Sequence, residues 1–264
     1  MYKEYSQFYD QVYEARQTPG FGIWVEDKTF WVEQAQRTGG PVLELGIGTG
    51  RLALPIARLG IVITGIDNSP EMLAKLSQKV LQESELVQQN LAWQLDSLEF
   101  MASIEQDRYR LAIAAAGVLQ YLHNPEDQRR LFAIIYGSLQ VGGEFLADVF
   151  NPNPKFVTNW GERIPIKEVI DSPNQGGRIR WYCIPQSYNP NTRIVSMPSQ
   201  FEFYRNGKLE PTVVEFPAEY YAYTKEELEQ LFLEAGFSNI ETFRSNTKEP
   251  FIETSWRIIM RGKK

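Results

Sequence analysis

Between Val42 and Asp67 the chain reads VLELGIGTGRLALPIARLGIVITGID, and this stretch restricts the possible folds more than any other. A short apolar run, Val42–Leu45, ends in glycines at Gly46, Gly48 and Gly50. A helical stretch (Arg51–Leu59) and a second apolar run (Ile61–Ile66) follow, and Asp67 closes that run. Strand, glycine turn, helix, strand and terminal acid make up one winding of an α/β sheet, with a socket for a ribose-bearing ligand at the carboxyl ends of its strands. The glycines let a ligand approach the backbone and meet the positive end of the helix. In the dinucleotide fingerprint G-x-G-x-x-G the last glycine allows close helix–strand packing, and here Arg51 stands at that position. A bulky residue there argues against a tight pyrophosphate turn. Asp67 can accept both ribose hydroxyls whichever cofactor binds, so the acid by itself leaves a dinucleotide and another adenosine-bearing cofactor both open.

The same alternation continues on both sides. Tyr5, Phe8, Tyr9, Val12 and Tyr13 fall at helical spacing, and a second helix is expected over about Glu26–Arg37. After the glycine turn come a helix at Pro70–Val80, a strand at Leu91–Leu95, a strand at Arg110–Ala115, a helix at Gln128–Leu139 and a strand at Glu144–Phe150. Such alternation predicts right-handed crossovers, hence a doubly wound, mostly parallel sheet with helices on both faces.

From Asn151 to Tyr223 the pattern changes. RIRWYCI, RIVSMPSQFEFY and TVVEFPAEYYAY alternate with period two, and Asn206-Gly207 is a hairpin signal. A small antiparallel sheet inserted after the fifth strand is the expectation. The helical period returns in TKEELEQLFLEAGF, where Thr224 and Glu227 spell a capping box and Gly236 a stop. SNIETF and TSWRIIMRG supply two last strands, for seven in the main sheet. The expected domains are therefore 1–150 with 224–264, opened by a helical lid over 1–40, and an inserted subdomain over 151–223.

Composition limits the function. A chain of 264 residues can bury a sizeable core without metal or disulfide. One cysteine, Cys183, excludes an internal disulfide framework and a cysteine-built zinc site, and no metal site is expected. No secretory signal and no run of eighteen apolar residues is visible, so the expectation is a soluble cytoplasmic protein without a membrane. The net charge of −6, with basic residues clustered only in the terminal RGKK, disfavours a nucleic-acid partner.

VLELGIGTGRL, GIDNSPEML, QLDSLEF, YRLAIAAAGVLQYL and LQVGGEFLADVFNP follow one another in the order of the motifs of the Rossmann-like S-adenosylmethionine-dependent methyltransferases, which this chain resembles from Pro41 to Phe150 and again in YTKEELEQLFLEAGF. The YDQVY segment and the insertion resemble the small-molecule branch that includes sugar-amine N-methyltransferases and glycine N-methyltransferase. The resemblance implies S-adenosylmethionine as cofactor and S-adenosylhomocysteine as product. It places the backbone of Gly46, Ile47 and Gly48 at the methionyl part, with Glu44 supporting the turn and the ammonium side. Asp67 would take the ribose diol, Asn68 and Met72 would flank the adenine, and Asp96 with the Ser97 backbone would meet its amino group. Ala116 and Gly117 would border the methionyl chain near the sulfonium, and Tyr9 or Tyr13 in the lid would touch the methionyl carboxylate or the acceptor. One departure is Arg110, which stands where the family usually begins its fourth strand with Asp.

Methyl transfer is an in-line displacement that depends mainly on alignment in a dry pocket. A base is needed only for a protonated nucleophile, and His123 and Tyr121, beyond the fourth strand, are the candidates beside Tyr13. Cys183 sits in an alternating strand, which disfavours covalent catalysis, and no [DN]PP[YF] follows the fourth strand. A small-molecule amine or hydroxyl is the expected acceptor, with a homodimer through the inserted sheet as a further expectation. The competing readings are an NAD(P)-dependent oxidoreductase on the same socket, a non-catalytic cofactor-binding protein, and an RNA or protein methyltransferase.

Overall fold

The computed structural model describes residues 6, 8–14, 27–151, 160–171, 177–205, 208–216, 218–244 and 249–264. Tyr5, Thr18-Pro19-Gly20, Trp24, Pro152-Asn153-Pro154 and the Asn206-Gly207 turn lie outside them. The elements begin with α1 (Tyr9–Glu14), α2 (Lys28–Thr38), β1 (Val42–Leu45), α3 (Ala53–Arg58), β2 (Ile63–Asp67), α4 (Pro70–Val80), α5 (Glu85–Asn90) and β3 (Leu91–Leu95). Next come β4 (Tyr109–Ala114), a 3-10 turn (Val118–Tyr121), α6 (Pro125–Ser138) and β5 (Leu139–Phe150). Strands β6 (Ile164–Asp171), β7 (Gly177–Cys183), β8 (Ser187–Asn189), β9 (Ile194–Ser196), β10 (Ser199–Arg205), β11 (Lys208–Phe216) and β12 (Glu219–Tyr221) follow. The chain closes with α7 (Lys225–Ala235), β13 (Ser238–Phe243) and β14 (Arg257–Lys263). Two compact units result, Asp27–Asn153 with Tyr221–Lys264 and, smaller, Met1–Glu26 with Pro154–Tyr220.

The larger unit is built on a seven-stranded sheet in the order β13-β14-β5-β4-β1-β2-β3. β1 pairs in parallel with β2 and β4, and only the β14 pairings are antiparallel. All four residues of β1 are buried. Helices on both faces require that, and it explains why VLEL reads as a continuous rather than an alternating strand. The strand order reverses beside β1, between β2 and β4, and in open α/β sheets the crevice outside such a switch point is the ligand site.

Local chemistry fixes the helix ends. Ser69 Oγ accepts the Met72 N–H at 3.3 Å ahead of Pro70, and Thr224 and Glu227 form the expected capping box. α6 begins three residues earlier than its apolar period suggests, because Asn124 Oδ1 accepts the Glu126 N–H at 2.9 Å and Pro125 follows at the first helical position. β5 likewise starts at Leu139 rather than Glu144. Gly142-Gly143 lies inside the strand, where the pairing with β4 shifts register between Tyr109 and Leu111.

The smaller unit contains the antiparallel sheet β11-β10-β7-β6, and β12, β9 and β8 make a second sheet. β7 alternates as its sequence predicts, with Ile179, Trp181 and Cys183 inward. Outward, Arg180 pairs with Glu168 at 2.6 Å. Helix α1 belongs to this unit: Phe8 meets Phe201 and Phe203 edge-on at 5.0 and 5.2 Å, and the Tyr13 ring lies 5.4 Å from Trp181. Trp31, within the 1–40 stretch, is fully buried in the core of the larger unit.

Candidate functional site

The bend after β1 is shaped by backbone hydrogen bonds. The N–H groups of Gly46 and Ile47 both donate to the carbonyl of Ile66, at 2.8 and 3.0 Å, which ties the turn to the end of β2. Gly46 and Gly48 both have positive φ, 72° and 54°, where a Cβ is strained. Their surroundings differ. A Cβ on Gly46 would lie 2.6 Å from Val118, whereas one on Gly48 would meet nothing within 4 Å. The turn is thus packed on one side and open over Gly48. Ile47 turns its side chain inward onto Gly65, where a Cβ would lie 2.1 Å from Ile47 Cδ1.

Asp67 completes the bend. Its Oδ2 accepts the Gly48 N–H at 2.7 Å and its Oδ1 accepts the Ser69 N–H at 2.9 Å. Burial pushes its carboxyl up, and the N–H groups of Ser69, Gly48 and Asn68 oppose that without cancelling it. This acid therefore holds the turn as well as standing at its rim.

Below the turn lies a cluster of buried charge. Glu44, two residues before Gly46, is 3% exposed, and its Oε2 has no hydrogen-bond partner among the described residues. Burial pushes its carboxyl up to about 8, against the pull of Arg51 and with the push of Asp67 and Asp27. Arg51 folds beneath the turn onto Asp27, with Nη2 donating to Oδ2 at 3.2 Å, and both side chains are buried. Trp31 Nε1 also donates to Asp27 Oδ2, at 3.1 Å. Burial raises the Asp27 carboxyl, but Arg51, Arg257 and Trp31 outweigh it and leave it below the ordinary carboxylate range. Arg257 on β14 donates to Asp148 on β5 at 2.8 Å and lies 3.9 Å from Asp27.

This arrangement has a chemical meaning. The arginine standing at the fingerprint's last glycine is neutralised by Asp27, and Glu44, with one unpartnered oxygen, precedes the first glycine by two residues. A buried carboxyl favours a cation and disfavours a pyrophosphate.

Comparison with known proteins decides the family of this stretch. The profile of a methyltransferase domain matches residues 42–143, from β1 to the glycine pair of β5. The chain carries a methyltransferase domain. A protein of Geobacillus sp. (strain WCH70) that bears the name of a methyltransferase is 27% identical over 271 residues, covering 100% of this chain and 99% of the relative. Among solved structures, the CcbJ methyltransferase from Streptomyces caelestis aligns with a TM-score of 0.74 at 22% identity, over 94% of this chain and 99% of that one. CalS10 from Micromonospora echinaspora, described as a SAM-bound amino pentose methyltransferase, aligns with a TM-score of 0.69 at 13% identity, over 100% and 98%. Likeness at these identities establishes the fold, which is Rossmann-like as expected.

Within the methyltransferase domain, the remaining sequence-derived candidates gather at the carboxyl ends of the strands. Asn68 is exposed beside Asp67, and Met72 is buried in the first turn of α4. Asp96 follows β3; its N–H donates to the Asp67 carbonyl at 3.0 Å, and its Oδ1 accepts the Ser97 N–H at 2.8 Å. Ala116 and Gly117 follow β4, both at positive φ. The Gly117 N–H donates to the Asp148 carbonyl at 3.2 Å, and the Ala116 N–H lies on the Asp148 carboxyl group. Tyr121 and His123 come next and are exposed. Arg110 is exposed at the start of β4, the opposite end of the strand from the candidates.

Tyr9 and Tyr13 lie in the smaller unit, their rings stacked 4.4 Å apart. Any part they take at the cofactor rests on the resemblance alone. Cys183 is buried in the same unit with its thiol pushed up to about 12 by burial, an inert state. No group of three or more His, Cys, Asp or Glu among the described residues could hold a metal.

Sequence reasoning missed Asp27, Asp148, Arg257 and Gln120. Gln120 is fully buried: its Oε1 accepts the Phe150 N–H at 2.8 Å, and its Nε2 donates to the carbonyls of Phe150 and Tyr221 at 2.9 and 3.0 Å. A local signal existed only for Asp27, which stands four residues before Trp31 at the start of a helix.

Proposed function

We propose that this protein transfers a methyl group from S-adenosylmethionine to a small-molecule acceptor, an amine nitrogen in preference to a hydroxyl. The observation that carries the reading is the buried, unpartnered oxygen of Glu44 behind an open glycine turn. It suits a cofactor whose amino-acid end carries an ammonium, and it is a poor neighbour for the phosphates of a dinucleotide.

The bound cofactor supplies a methyl group on a sulfonium, activated for in-line displacement. The roles of the chain's residues are as follows. Gly46, Ile47 and Gly48 offer backbone to the methionyl part, and Glu44 faces its ammonium. Asp67 accepts the ribose hydroxyls, with Asn68 and Met72 beside the adenine and Asp96 with the Ser97 N–H at its edge. Ala116 and Gly117, fixed by Asp148, border the sulfonium. Holding the acceptor in line can contribute up to ~7–11 kcal/mol of the barrier, so orientation does most of the catalysis. An amine acceptor that arrives protonated has to lose its proton first, and His123 or Tyr121 at the exposed end of the β4 turn can relay it, an effect of roughly 10²–10⁴-fold. The amine preference draws support from CalS10, which is described as acting on an amino pentose.

The test is ligand binding to purified protein. S-adenosylhomocysteine is expected to raise the melting temperature while NAD and NADP do not, and Asp67→Ala is expected to weaken its binding at least ~10-fold. Stabilisation by NAD(P) alone, or unchanged affinity in Asp67→Ala, would overturn the assignment.

A further inference from the structure

The turn after β4 carries a strain that its own side chains do not relieve. Ala116 and Gly117 are the central residues of a tight turn, closed by the Val118 N–H on the Ala115 carbonyl at 3.3 Å. Both have positive φ, 55° and 74°, as in a type I′ turn. Such turns favour Gly, Asn or Asp at those positions, because a Cβ is crowded there. Alanine has no polar side chain with which to hold itself in place. A conformation of this kind persists where the surroundings over-determine it, and it gathers at functional sites.

The hold comes from one residue of β5. The Asp148 carbonyl accepts the Gly117 N–H at 3.2 Å, and its carboxyl group accepts the Ala116 N–H. Asp148 is 1% exposed, so its carboxylate needs a cation, and Arg257 supplies one at 2.8 Å. Strand pairing sets Arg257 opposite Phe150 and Ile259 opposite Asp148, which makes arginine and acid diagonal neighbours on one face of the sheet. The same guanidinium lies 3.9 Å from Asp27, whose carboxylate holds Arg51 directly after the glycine turn. Arg51, Asp27, Arg257 and Asp148 thus form a largely buried chain of alternating charge. It runs from the backbone turn after β1 to the one after β4.

We propose that Arg257 is a positioning residue for methyl transfer: through Asp148 it fixes the left-handed Ala116 turn and so the wall at the cofactor's sulfonium. The inference rests on the methyltransferase reading above and adds to it a residue 109 positions beyond its partner. Arg257 acts through the turn rather than on the ligand, and no bond is made or broken at it.

Isothermal titration of the full chain with S-adenosylhomocysteine and with adenosine, which lacks the sulfur and the amino-acid arm, measures the effect. Arg257→Met keeps an unbranched stem and removes the charge. It is expected to weaken S-adenosylhomocysteine roughly 10-fold and adenosine less than about 2-fold. Ala116→Gly removes the strain that the network holds. Added to Arg257→Met, it is expected to restore S-adenosylhomocysteine affinity at least ~3-fold, more than it brings to the natural protein. Arg257→Lys, which leaves a charge in the cluster, carries the same comparison if the methionine variant does not fold. An arginine that served the fold alone would lower the melting temperature, affect both ligands equally and give Ala116→Gly nothing to restore. That result would overturn the proposal and leave the cofactor assignment standing. Should the natural protein bind neither ligand, the cofactor assignment itself falls, and this proposal with it.

Discussion

Asp27 and Arg51 stand 24 positions apart and meet with little solvent access, 0% and 6% of their side-chain surfaces being exposed. Removing one partner from a buried pair leaves the other uncompensated, so Arg51→Ala is expected to lower unfolding stability by about 3–5 kcal/mol in chemical denaturation. Glu44 predicts a pH dependence of opposite sign to that of an ordinary paired carboxylate. Burial pushes it up to about 8, above the ordinary 4.5, so the folded state binds the extra proton between those limits. The stability that proton confers is present in full below the lower limit and is lost as pH rises through the upper one. Natural protein and Glu44→Gln should therefore differ least at about pH 4.5 and diverge by on the order of a few kcal/mol by about pH 8, with the variant the more stable. Melting curves that stay parallel across that range would contradict a protonated Glu44. The bend that joins the glycines to Asp67, with Glu44 before it, was legible because all its residues fall within one short stretch. Asp27 and Asp148 were not, because a buried acid announces itself only through a partner that the fold brings from elsewhere.

Elements follow the same division. The capping box of α7 is spelled by Thr224 and Glu227, and its two bonds form at 3.2 and 3.0 Å. Thr224→Ala should cost ~1 kcal/mol in denaturant titration, with the slope against denaturant unchanged. Phe232, on the same helix, is fully buried among Phe132, Phe145 and Phe237 at ring separations of 5.0–5.3 Å. Phe232→Ala is expected to cost about 3–5 kcal/mol, far more than loss of the cap, because it opens a cavity in a packed cluster. Strands β1, β2 and β4 could be read from the sequence because burial on both faces makes them continuously apolar. The start of β5 could not, since Gly142-Gly143 reads as a break, and only pairing with β4 carries the strand through it. Helix α5 buries Val87 alone, too little apolar surface to register as a helical period.

At the scale of the whole molecule, the order β13-β14-β5-β4-β1-β2-β3 places the glycine turn, Asp67 and the Ala116-Gly117 loop at one end of one sheet. No described helix is long and apolar enough to cross a membrane. Contacts divide the chain differently from its composition: α1 joins the inserted sheets, whereas α2 joins the main sheet. The sequence pattern alone could not assign those helices, because their apolar faces fit either neighbour. A ligand gripped by the larger unit should stabilise that unit by mass action, about 2.7 kcal/mol at one hundred times its dissociation constant. The most direct measurement is a crystal structure grown with S-adenosylhomocysteine. Its ribose hydroxyls are expected within ~3.2 Å of the Asp67 carboxylate and its ammonium against Glu44. A pyrophosphate-bearing ligand in that place, or the homocysteine nucleoside bound anywhere else, would contradict it.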